Sequence, residues 1–374
     1  MSFLYESLLA ITWQQVAMWA IGSVLIYLAI KKNMEPSLLL PIGFGAILCN
    51  LPFSGALGDW ANGVLVNGNG PLSTLYNAGI ANELFPLLLF IGIGAMCDFG
   101  PLLSNPVMML FGAAAQFGIF FVLCLASIFF PINDAASIAT IAAADGPTAI
   151  VVAEKLGSQF LGPIMVAAYS YMALVPIIQP PVIKLLTTKK ERQIHMDYEP
   201  KNVSKTTRIL FPIIITVVAG LVSPASVSLV GFLMFGNLIK ECGVLDSLND
   251  TAQDALTNII TLILGITIAS QMQAQQFLSI QTLIILGLGL FGFVFDTAGG
   301  IMFAKILNLF LKKKVNPMIG AAGISAFPMS GRIVHKLGLE EDNQNFLLMH
   351  SMAVNVSGQI ASVVAGGLIL AMFK

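Results

Sequence analysis

The chain has 374 residues, of which 57% are hydrophobic and only 10% are charged. A soluble domain carries about 25% charged residues, so this composition excludes a water-soluble globular protein. The formal net charge is −1, and no nucleic-acid partner is expected. The four cysteines lie singly within or beside apolar runs, without the spacing of a metal site or a disulfide framework.

Runs of about 20 apolar residues recur along the chain, and each is long enough to cross a hydrocarbon core of ~30 Å. This pattern predicts an all-α polytopic membrane protein with about ten to eleven crossings, because a β-barrel would show short alternating segments. No basic stretch or cleavage site accompanies the first run, which favours a retained helix over a signal peptide. The predicted crossings are 14–30, 37–53, 84–97, 106–130, 160–183, 209–222, 224–239, 256–272, 280–310 and 345–372.

Two further apolar segments, 134–156 and 315–336, are interrupted by Gly, Pro and polar residues. If both enter the membrane and return on one side, fifteen of the eighteen Lys and Arg residues fall on a single face, which marks that face as cytoplasmic. The opposite face keeps Lys155 and Lys374, and Lys305 lies within a helix. Broken helices that cross completely are the alternative. The fifteen residues are Lys31, Lys32, Lys184, Lys189, Lys190, Arg192, Lys201, Lys205, Arg208, Lys240, Lys312, Lys313, Lys314, Arg332 and Lys336.

The two halves of the chain resemble each other in three places that occur in the same order. "MEPSLLLPIGFGAIL" matches "VSPASVSLVGFLMFG", "GAAAQFGIFF" matches "LGLGLFGFVF", and "VVAEKLG" matches "RIVHKLG". We therefore predict a first membrane repeat (1–183), a basic cytoplasmic linker (184–208) and a second membrane repeat (209–374). Each half has an odd number of crossings, so the second repeat is inverted, with one interrupted helix per repeat meeting near the midplane. This architecture is typical of secondary transporters.

Asp145 is a lone carboxylate in the middle of the first interrupted segment, and Gly146 and Pro147 follow it directly. Proline cannot continue an ordinary helix, so backbone carbonyls are freed beside the carboxylate. Such an oxygen-rich site suits a hard cation such as Na⁺. The alternative is a buried Asp that only caps the half-helix starting at Pro147.

The second interrupted segment reads "NPMIGAAGISAFPMSGR", with a break predicted around Ser325. Ser325 is either an ion ligand or a serine that only satisfies a helix carbonyl. Arg332 follows the break and is either a bidentate partner for an incoming carboxylate or an anchor at the cytoplasmic surface. Asn316 and Pro317 can start the half-helix that leads into the break.

Other polar residues lie within predicted crossings. Tyr171 is a candidate proton donor or ligand support, and Tyr169 is a weaker one. Asn355 is either an ion ligand or a polar contact between helices. For Asp296, a second buried carboxylate, functional and structural interpretations have equal weight.

Five motifs resemble those of a known family, the β subunits of biotin-dependent sodium-pumping decarboxylases. They are "GIGAMCDFGPLLSNP", "ADGPTAIVVAEKLG", "AAYSYMALVPIIQPP", "NPMIGAAGISAFPMSGRIVHKLG" and "MHSMAVNVSGQIASV". The family serves complexes that act on oxaloacetate, glutaconyl-CoA, methylmalonyl-CoA or malonate, and the resemblance covers nearly the whole chain. "AAAD" departs from the family pattern, where many relatives carry glycine before the acidic residue. The short chain and the brief 31–35 loop hint at a CoA-ester complex over an oxaloacetate complex.

The resemblance implies a primary sodium pump of the bacterial cytoplasmic membrane. In it, this multi-pass chain decarboxylates N-carboxybiotin and couples the reaction to Na⁺ export, with a proton consumed. Biotin is carried on a partner subunit, with none attached covalently to this chain. The implied partners are a carboxyltransferase subunit, a biotin carrier subunit, a small membrane anchor subunit and further copies of this chain in a homo-oligomer.

By motif position, the resemblance also assigns residues. The sodium ligands are Asp145, Ser325 and Asn355; the catalytic residues are Asp145, Tyr171 and Arg332; the carboxybiotin contacts are Asn316, Gly320 and Arg332. Na⁺ binding would displace a proton held by Tyr171 or Asp145, because a nearby cation favours loss of a proton from an acid. A stand-alone Na⁺-coupled secondary transporter or Na⁺/H⁺ antiporter is the alternative, since fold alone does not determine function.

Overall fold

The computed structural model describes residues 3–61, 64–198 and 202–373, and these are helical almost throughout. A short antiparallel hairpin, β1 (Asp59–Ala61) with β2 (Val64–Asn67), lies between the third and fourth helices. The α-helices are α1 (Phe3–Leu9), α2 (Trp13–Lys32), α3 (Pro36–Cys49), α4 (Pro71–Leu75), α5 (Leu84–Met96), α6 (Gly100–Ser104), α7 (Met109–Ala115), α8 (Phe117–Ala126), α9 (Ile132–Ala139), α10 (Gly146–Lys155), α11 (Leu161–Leu186), α12 (Lys189–Arg192), α13 (Lys205–Val222), α14 (Val227–Cys242), α15 (Asp246–Asp250), α16 (Thr257–Ile268), α17 (Ala274–Phe277), α18 (Ile280–Phe310), α19 (Met329–Glu341) and α20 (Leu348–Phe373). Five 3-10 turns (Pro106–Met108, Thr140–Ala143, Pro224–Ser226, Ala269–Gln271 and Pro317–Gly323) and two π-turns (Tyr76–Ile80 and Thr251–Leu256) extend or link these helices.

Helix ends follow local sequence signals. A capping box starts α2: the Gln15 N–H donates to Thr12 Oγ1 at 3.3 Å, and the Thr12 N–H donates to Gln15 Oε1 at 2.9 Å. The same arrangement of Thr188 and Glu191 starts α12. Proline occupies the first position of α3, where its missing N–H costs nothing.

Within the described ranges, eight helical spans are long and apolar enough to cross a membrane. Pro71–Ile80 and Leu84–Met96 meet at a bend of 64° and count as a ninth span if the pair crosses as one, and Pro36–Cys49 is a shorter apolar helix. Each predicted crossing coincides with one of these ten elements, so the prediction of an all-α polytopic membrane protein is confirmed. The eight spans are Trp13–Lys32, Pro106–Ala126, Leu161–Leu186, Lys205–Val222, Pro224–Cys242, Asp246–Gln271, Ile280–Phe310 and Leu348–Phe373.

The first interrupted segment folds into a hairpin, called hairpin 1, made of α9, a 3-10 turn and α10. Its two ends meet at Asp134, whose Oδ1 accepts from Ser158 Oγ at 2.7 Å and from the Gln159 N–H at 3.0 Å. The chain therefore returns to the place where it entered, as a re-entrant segment does.

The second interrupted segment, hairpin 2, consists of the 3-10 turn Pro317–Gly323, a break and α19. Asn316 precedes it and Asn345 follows it, and both side-chain amides donate to the Arg192 carbonyl, at 2.8 Å and 2.9 Å. Both ends of hairpin 2 thus lie on the same short stretch of the linker, and the Arg192 side chain pairs with Glu341 at 2.7 Å.

The tips of the two hairpins meet, because the Ser325 N–H donates to the Ala143 carbonyl at 3.1 Å. Their bases lie at opposite ends of α11, which begins at Leu161 beside the base of hairpin 1 and ends at Leu186, close to Arg192. A helix of 26 residues is about 39 Å long. The hairpins therefore approach each other from opposite ends of the molecule.

The helix α20 lies at the centre of the fold, because 67% of its most apolar stretch is buried, whereas the corresponding fraction for α13 is 11%. Glycines bring α20 and α18 close to hairpin 2. A Cβ on Gly358 would overlap the Gly323 carbonyl, and a Cβ on Gly300 would overlap the Gly320 carbonyl. These glycines serve close backbone approach, as small residues do between membrane helices.

Charged contacts accompany both hairpin bases. At the base of hairpin 1, Lys155 pairs with Glu83 at 3.5 Å, and at that of hairpin 2, Lys305 pairs with Glu191 at 3.1 Å. Lys201 and Lys374, which were counted for the topology, lie outside the described residues. The division into two repeats and a linker stays a prediction.

Candidate ion-binding site

Asp145 occupies the turn between the two arms of hairpin 1. Ala144 precedes it with φ of 51° in the left-handed region, and Gly146 and Pro147 then begin α10. The Asp145 side chain is 3% exposed and caps α10, where its Oδ1 accepts from the Thr148 N–H at 3.5 Å. Asp145 therefore has the helix-capping role that was the alternative interpretation of the sequence.

The second carboxylate oxygen of Asp145 meets two hydroxyl groups. Thr148 Oγ1 donates to Oδ2 at 2.7 Å, and Ser362 Oγ, from α20, donates at 2.8 Å. A hydroxyl group that donates to a carboxylate can turn and offer a lone pair to a cation. The arrangement is thus a cluster of oxygen atoms of the kind that hard cations prefer.

Neither Thr148 nor Ser362 was among the predicted site residues. Thr148 had a local signal, since it stands three residues after a capping Asp, where a side chain can meet the cap. Ser362 had none, because it lies 217 residues away from Asp145 along the chain.

The tyrosine that packs beside Asp145 is Tyr169. A Cβ on Gly146 would overlap the Tyr169 ring, so only glycine admits this contact. The Tyr169 side chain is 1% exposed, and its hydroxyl makes no hydrogen bond within the described part of the chain. Tyr171 points elsewhere: its hydroxyl donates to the Leu286 carbonyl of α18, and its ring contacts Gly289.

Ser325 and Asn355 lie together at the tip of hairpin 2. Ser325 Oγ donates to the Gly358 carbonyl at 3.0 Å, and Asn355 Nδ2 donates to the carbonyls of Ala322 at 3.0 Å and Ile324 at 2.8 Å. The Asn355 Oδ1 atom is buried and, among the residues described, has no donor. Such an oxygen atom can accept a hydrogen bond or ligate a cation.

One side of α20 links the two tips. Gln359 donates to the Ser325 carbonyl one turn after Asn355, and Ser362 follows a turn later at Asp145. Asn355 and Ser362 are separated by about 10 Å along a helix axis. The three predicted Na⁺ ligands thus border one strip of α20, with Ser325 and Asn355 in one group and Asp145 in the next. In the described ranges there is no cluster of three His, Cys, Asp or Glu side chains that could hold a metal ion.

The three predicted carboxybiotin contacts differ in accessibility. Asn316 is buried, and its amide is fully engaged with the Arg192 and Ile194 carbonyls and the Met318 N–H. Gly320 packs against Gly300. Arg332, in contrast, is exposed on α19.

Arg332 lies in the field of Glu35, at the start of α3. Partial burial raises the pKa of the Glu35 carboxyl, and the Arg332 guanidinium opposes that rise. The exposed guanidinium therefore has a carboxylate from another helix as its electrostatic partner.

A family model described as "Na+-transporting oxaloacetate decarboxylase beta subunit" matches residues 14–373. The chain belongs to this family. It is 47% identical to the methylmalonyl-CoA decarboxylase subunit beta of Propionigenium modestum, over 96% of this chain and 94% of the relative. It is also 47% identical to the glutaconyl-CoA decarboxylase subunit beta of Acidaminococcus fermentans (97% and 94%), and 44% identical to the probable oxaloacetate decarboxylase beta chain of Vibrio cholerae (96% and 95%).

The family resemblance expected from the five motifs is thereby confirmed. The chain is a multi-pass membrane β subunit of a Na⁺-transporting decarboxylase, and its activity is that of a subunit within a complex. The roles assigned to single residues stay predictions.

Proposed function

We propose that this β subunit decarboxylates N-carboxybiotin presented by a carrier subunit and couples that step to Na⁺ export, with a proton consumed. One observation carries the proposal: Asp145 lies where two hairpins from opposite ends of the molecule meet, surrounded by hydroxyl groups from separate elements. A carboxylate at such a depth is costly unless it has a function, and a meeting point of discontinuous helices is where transporters bind ions.

Na⁺ binds at Asp145, with Thr148 and Ser362 as further oxygen ligands and the Tyr169 hydroxyl nearby. The unpaired Asn355 Oδ1 and Ser325 supply a second group of oxygen atoms along α20. Because Na⁺ and a proton compete for the same carboxylate, occupation by Na⁺ releases a proton that can serve decarboxylation.

Arg332 is the residue that meets the carboxylate of N-carboxybiotin, since it is exposed and its planar guanidinium suits bidentate contact. Asn316 and Gly320 act on the same site indirectly, through the base and the packing of hairpin 2. Biotin arrives on a carrier subunit. A carboxyltransferase subunit, a small membrane anchor subunit and further copies of this chain complete the complex.

Alignment lengths favour a CoA ester as the substrate of the complex. Alignments with the two methylmalonyl-CoA relatives and the glutaconyl-CoA relative span 374, 367 and 364 positions. Those with oxaloacetate relatives span 409 to 414 positions, so these relatives carry insertions that this chain lacks. Decarboxylation assays with methylmalonyl-CoA, glutaconyl-CoA and oxaloacetate test the assignment directly, and activity with oxaloacetate alone would reverse it.

The test of the main proposal is uptake of radioactive sodium into inverted membrane vesicles that contain the whole complex, with and without avidin. Wild type and Asp145→Asn are compared. Uptake that avidin blocks and that Asp145→Asn lacks supports a biotin-driven pump with its ion site at Asp145. Uptake that avidin leaves unchanged would instead indicate a stand-alone secondary transporter.

A further inference from the structure

Asp296, on α18, is a second buried carboxylate, with an exposed fraction of 0%. Its Oδ1 accepts from the backbone N–H group of Gly118. Its Oδ2 is buried and makes no hydrogen bond to any residue that the structure describes.

A structural role explains one of these two oxygen atoms. The span Pro106–Ala126 is broken at Gln116, and the Gly118 N–H at the start of α8 donates to Asp296 instead of to a carbonyl of the preceding turn. Asp296 Oδ1 satisfies this N–H as an N-cap supplied by another helix. A cap needs one acceptor oxygen, which Asn provides as well as Asp, so the charge of Asp296 and its free Oδ2 require another explanation.

No positive charge neutralises Asp296 among the described residues. The titratable side chains on or next to the elements packed against α18 are Cys124, Asp134, Asp145, Tyr169, Tyr171 and Lys184. None of them makes a hydrogen bond or ion pair with Asp296. Asp134 accepts a hydrogen bond from Ser158, Tyr171 donates one to the Leu286 carbonyl, and Lys184 forms an ion pair with Glu340 at 3.7 Å. Lys305, on α18 itself, pairs with Glu191.

The surroundings of Asp296 contain further unpaired polar atoms. Thr297 Oγ1 and Gln116 Oε1 are both buried and lack hydrogen-bond partners in the described ranges. Gly118 and Gly292 bring α8 and α18 into close contact there, since a Cβ on either glycine would overlap the neighbouring helix. Space is therefore short for a hydrated ion, whereas a proton needs none.

Asp296 also lies close to the meeting point of the hairpins. Phe293, less than one turn earlier on α18, packs in one cluster with Ala144 and Ile324. Ala144 directly precedes Asp145, and Ile324 directly precedes Ser325. Asp145 and Asp296 therefore border the same buried cluster, and charges in a buried region are screened little.

We propose that Asp296 is a further proton-carrying carboxylate of this β subunit, in addition to Asp145, where Na⁺ and a proton compete. A proton from water binds Oδ2 and converts the carboxylate into a neutral carboxylic acid, with no other bond formed or broken. Na⁺ binding at Asp145 drives that proton off again by electrostatic repulsion, and the proton returns to the aqueous phase, where the buffer takes it up. The inference rests on the proposed function, because it assumes that Na⁺ binds at Asp145.

The test is isothermal titration of Na⁺ into the purified complex in two buffers of different ionisation enthalpy, which gives the number of protons released per Na⁺ bound. Asp296→Asn keeps the acceptor that caps α8 and removes the titratable group. We expect this variant to bind Na⁺ and to release about one proton fewer per Na⁺ than wild type.

Three outcomes overturn the proposal: unchanged proton release in Asp296→Asn, loss of Na⁺ binding in a folded Asp296→Asn complex, or wild type that releases no proton at any pH. The last needs no variant, so it applies even if Asp296→Asn fails to assemble. An Asp145→Asn arm separates the two proposals. Na⁺ binding that survives in it refutes the Asp145 site together with the inference that rests on it, whereas lost Na⁺ binding in Asp145→Asn with unchanged proton release in Asp296→Asn refutes the role of Asp296 alone.

Discussion

Ser362 makes a contribution to the Asp145 site that can be removed without dismantling hairpin 1. In Ser362→Ala, Thr148 still holds the carboxylate, but one oxygen ligand from α20 is lost. A loss of about 1.4 kcal/mol is tenfold in affinity, so we expect the KM for Na⁺ to rise roughly tenfold in assays of Na⁺-dependent decarboxylation. Ser357→Ala is the matched control, because Ser357 bonds only to backbone carbonyls. Equal shifts in the two variants would contradict the assignment of Ser362.

The two tyrosines of α11 should respond differently to removal of their hydroxyl groups. Tyr169→Phe removes a buried hydroxyl without a partner in the described structure, so thermal stability should not fall, while the KM for Na⁺ should rise. Tyr171→Phe removes a hydrogen bond to the Leu286 carbonyl and should cost about 1 kcal/mol of stability. Thermal unfolding in detergent and the Na⁺ dependence of activity measure both effects. A stability loss in Tyr169→Phe would show that its hydroxyl has a structural partner.

Part of this site could be predicted from the sequence at the level of single residues. A lone Asp followed by Gly-Pro identifies both a helix break and a candidate ion ligand, because both signals are local. Ser362 and Tyr169 could not be predicted with equal force. Their proximity to Asp145 depends on how α20 and α11 pack against hairpin 1, and that packing is not encoded in adjacent residues.

At the scale of elements, Asp134 closes the base of hairpin 1. Asp134→Ala leaves Ser158 Oγ and the Gln159 N–H without their acceptor, at a site where the Asp134 side chain is only 5% exposed. Hydrogen bonds to charged groups contribute about 1.5–3 kcal/mol each, so we expect residues 132–160 to exchange amide hydrogens markedly faster. Mass spectrometry of deuterium uptake measures this. Asn133→Ala is the control, since Asn133 is exposed and reaches Leu156 only at 3.5 Å. Similar exchange in both variants would mean that Asp134 does not hold the base.

Two helix breaks show where sequence patterns stop being sufficient. The break at Asp145 was predicted, because Pro147 lies beside it. The break at Gln116 was not, since "GAAAQFGIFF" contains no proline. It is stabilised by Asp296, which supplies an N-cap from a helix 178 residues further along the chain. A helix break caused by a neighbouring proline can be predicted from the sequence, whereas a helix break stabilised by a tertiary contact cannot.

At the scale of the whole molecule, the linker segment 187–198 should loosen in acid. Burial would raise the pKa of Glu191, but the Thr188 N–H and the Lys305 ammonium together hold it below its usual value. The Gln344 N–H and the His195 ring hold the pKa of Asp342 below its usual value. Lowered carboxyl pKa values stabilise the fold above the usual carboxyl range, and that stability is lost as the pH falls through the folded pKa.

We therefore expect segment 187–198 to lose amide protection below about pH 4, after correction for intrinsic exchange rates. Hydrogen exchange at neutral and acidic pH tests this expectation. Glu191→Gln should reproduce part of the loosening at neutral pH, because it removes the charge that Lys305 contacts. Protection that is independent of pH would show that these ion pairs do not hold the segment.

The arrangement of the two hairpins makes a prediction about the whole protein in its membrane. The base of hairpin 1 and the linker that holds hairpin 2 are separated by the length of α11, which is about that of a full membrane crossing. Cysteines placed at the exposed positions Gln159 and Lys190 should therefore react with a membrane-impermeant maleimide from opposite sides. Both variants, Gln159→Cys and Lys190→Cys, should be made in a protein that lacks Cys124, because Cys124 is exposed. Intact cells present the outer face of the membrane to the reagent, and inverted vesicles present the cytoplasmic face. The basic residues around Lys190 place it in the cytoplasm, so Gln159→Cys should be labelled in cells and Lys190→Cys in inverted vesicles. Labelling of both from one side would require one hairpin to cross completely, and the two interrupted segments would then no longer meet as an inverted pair.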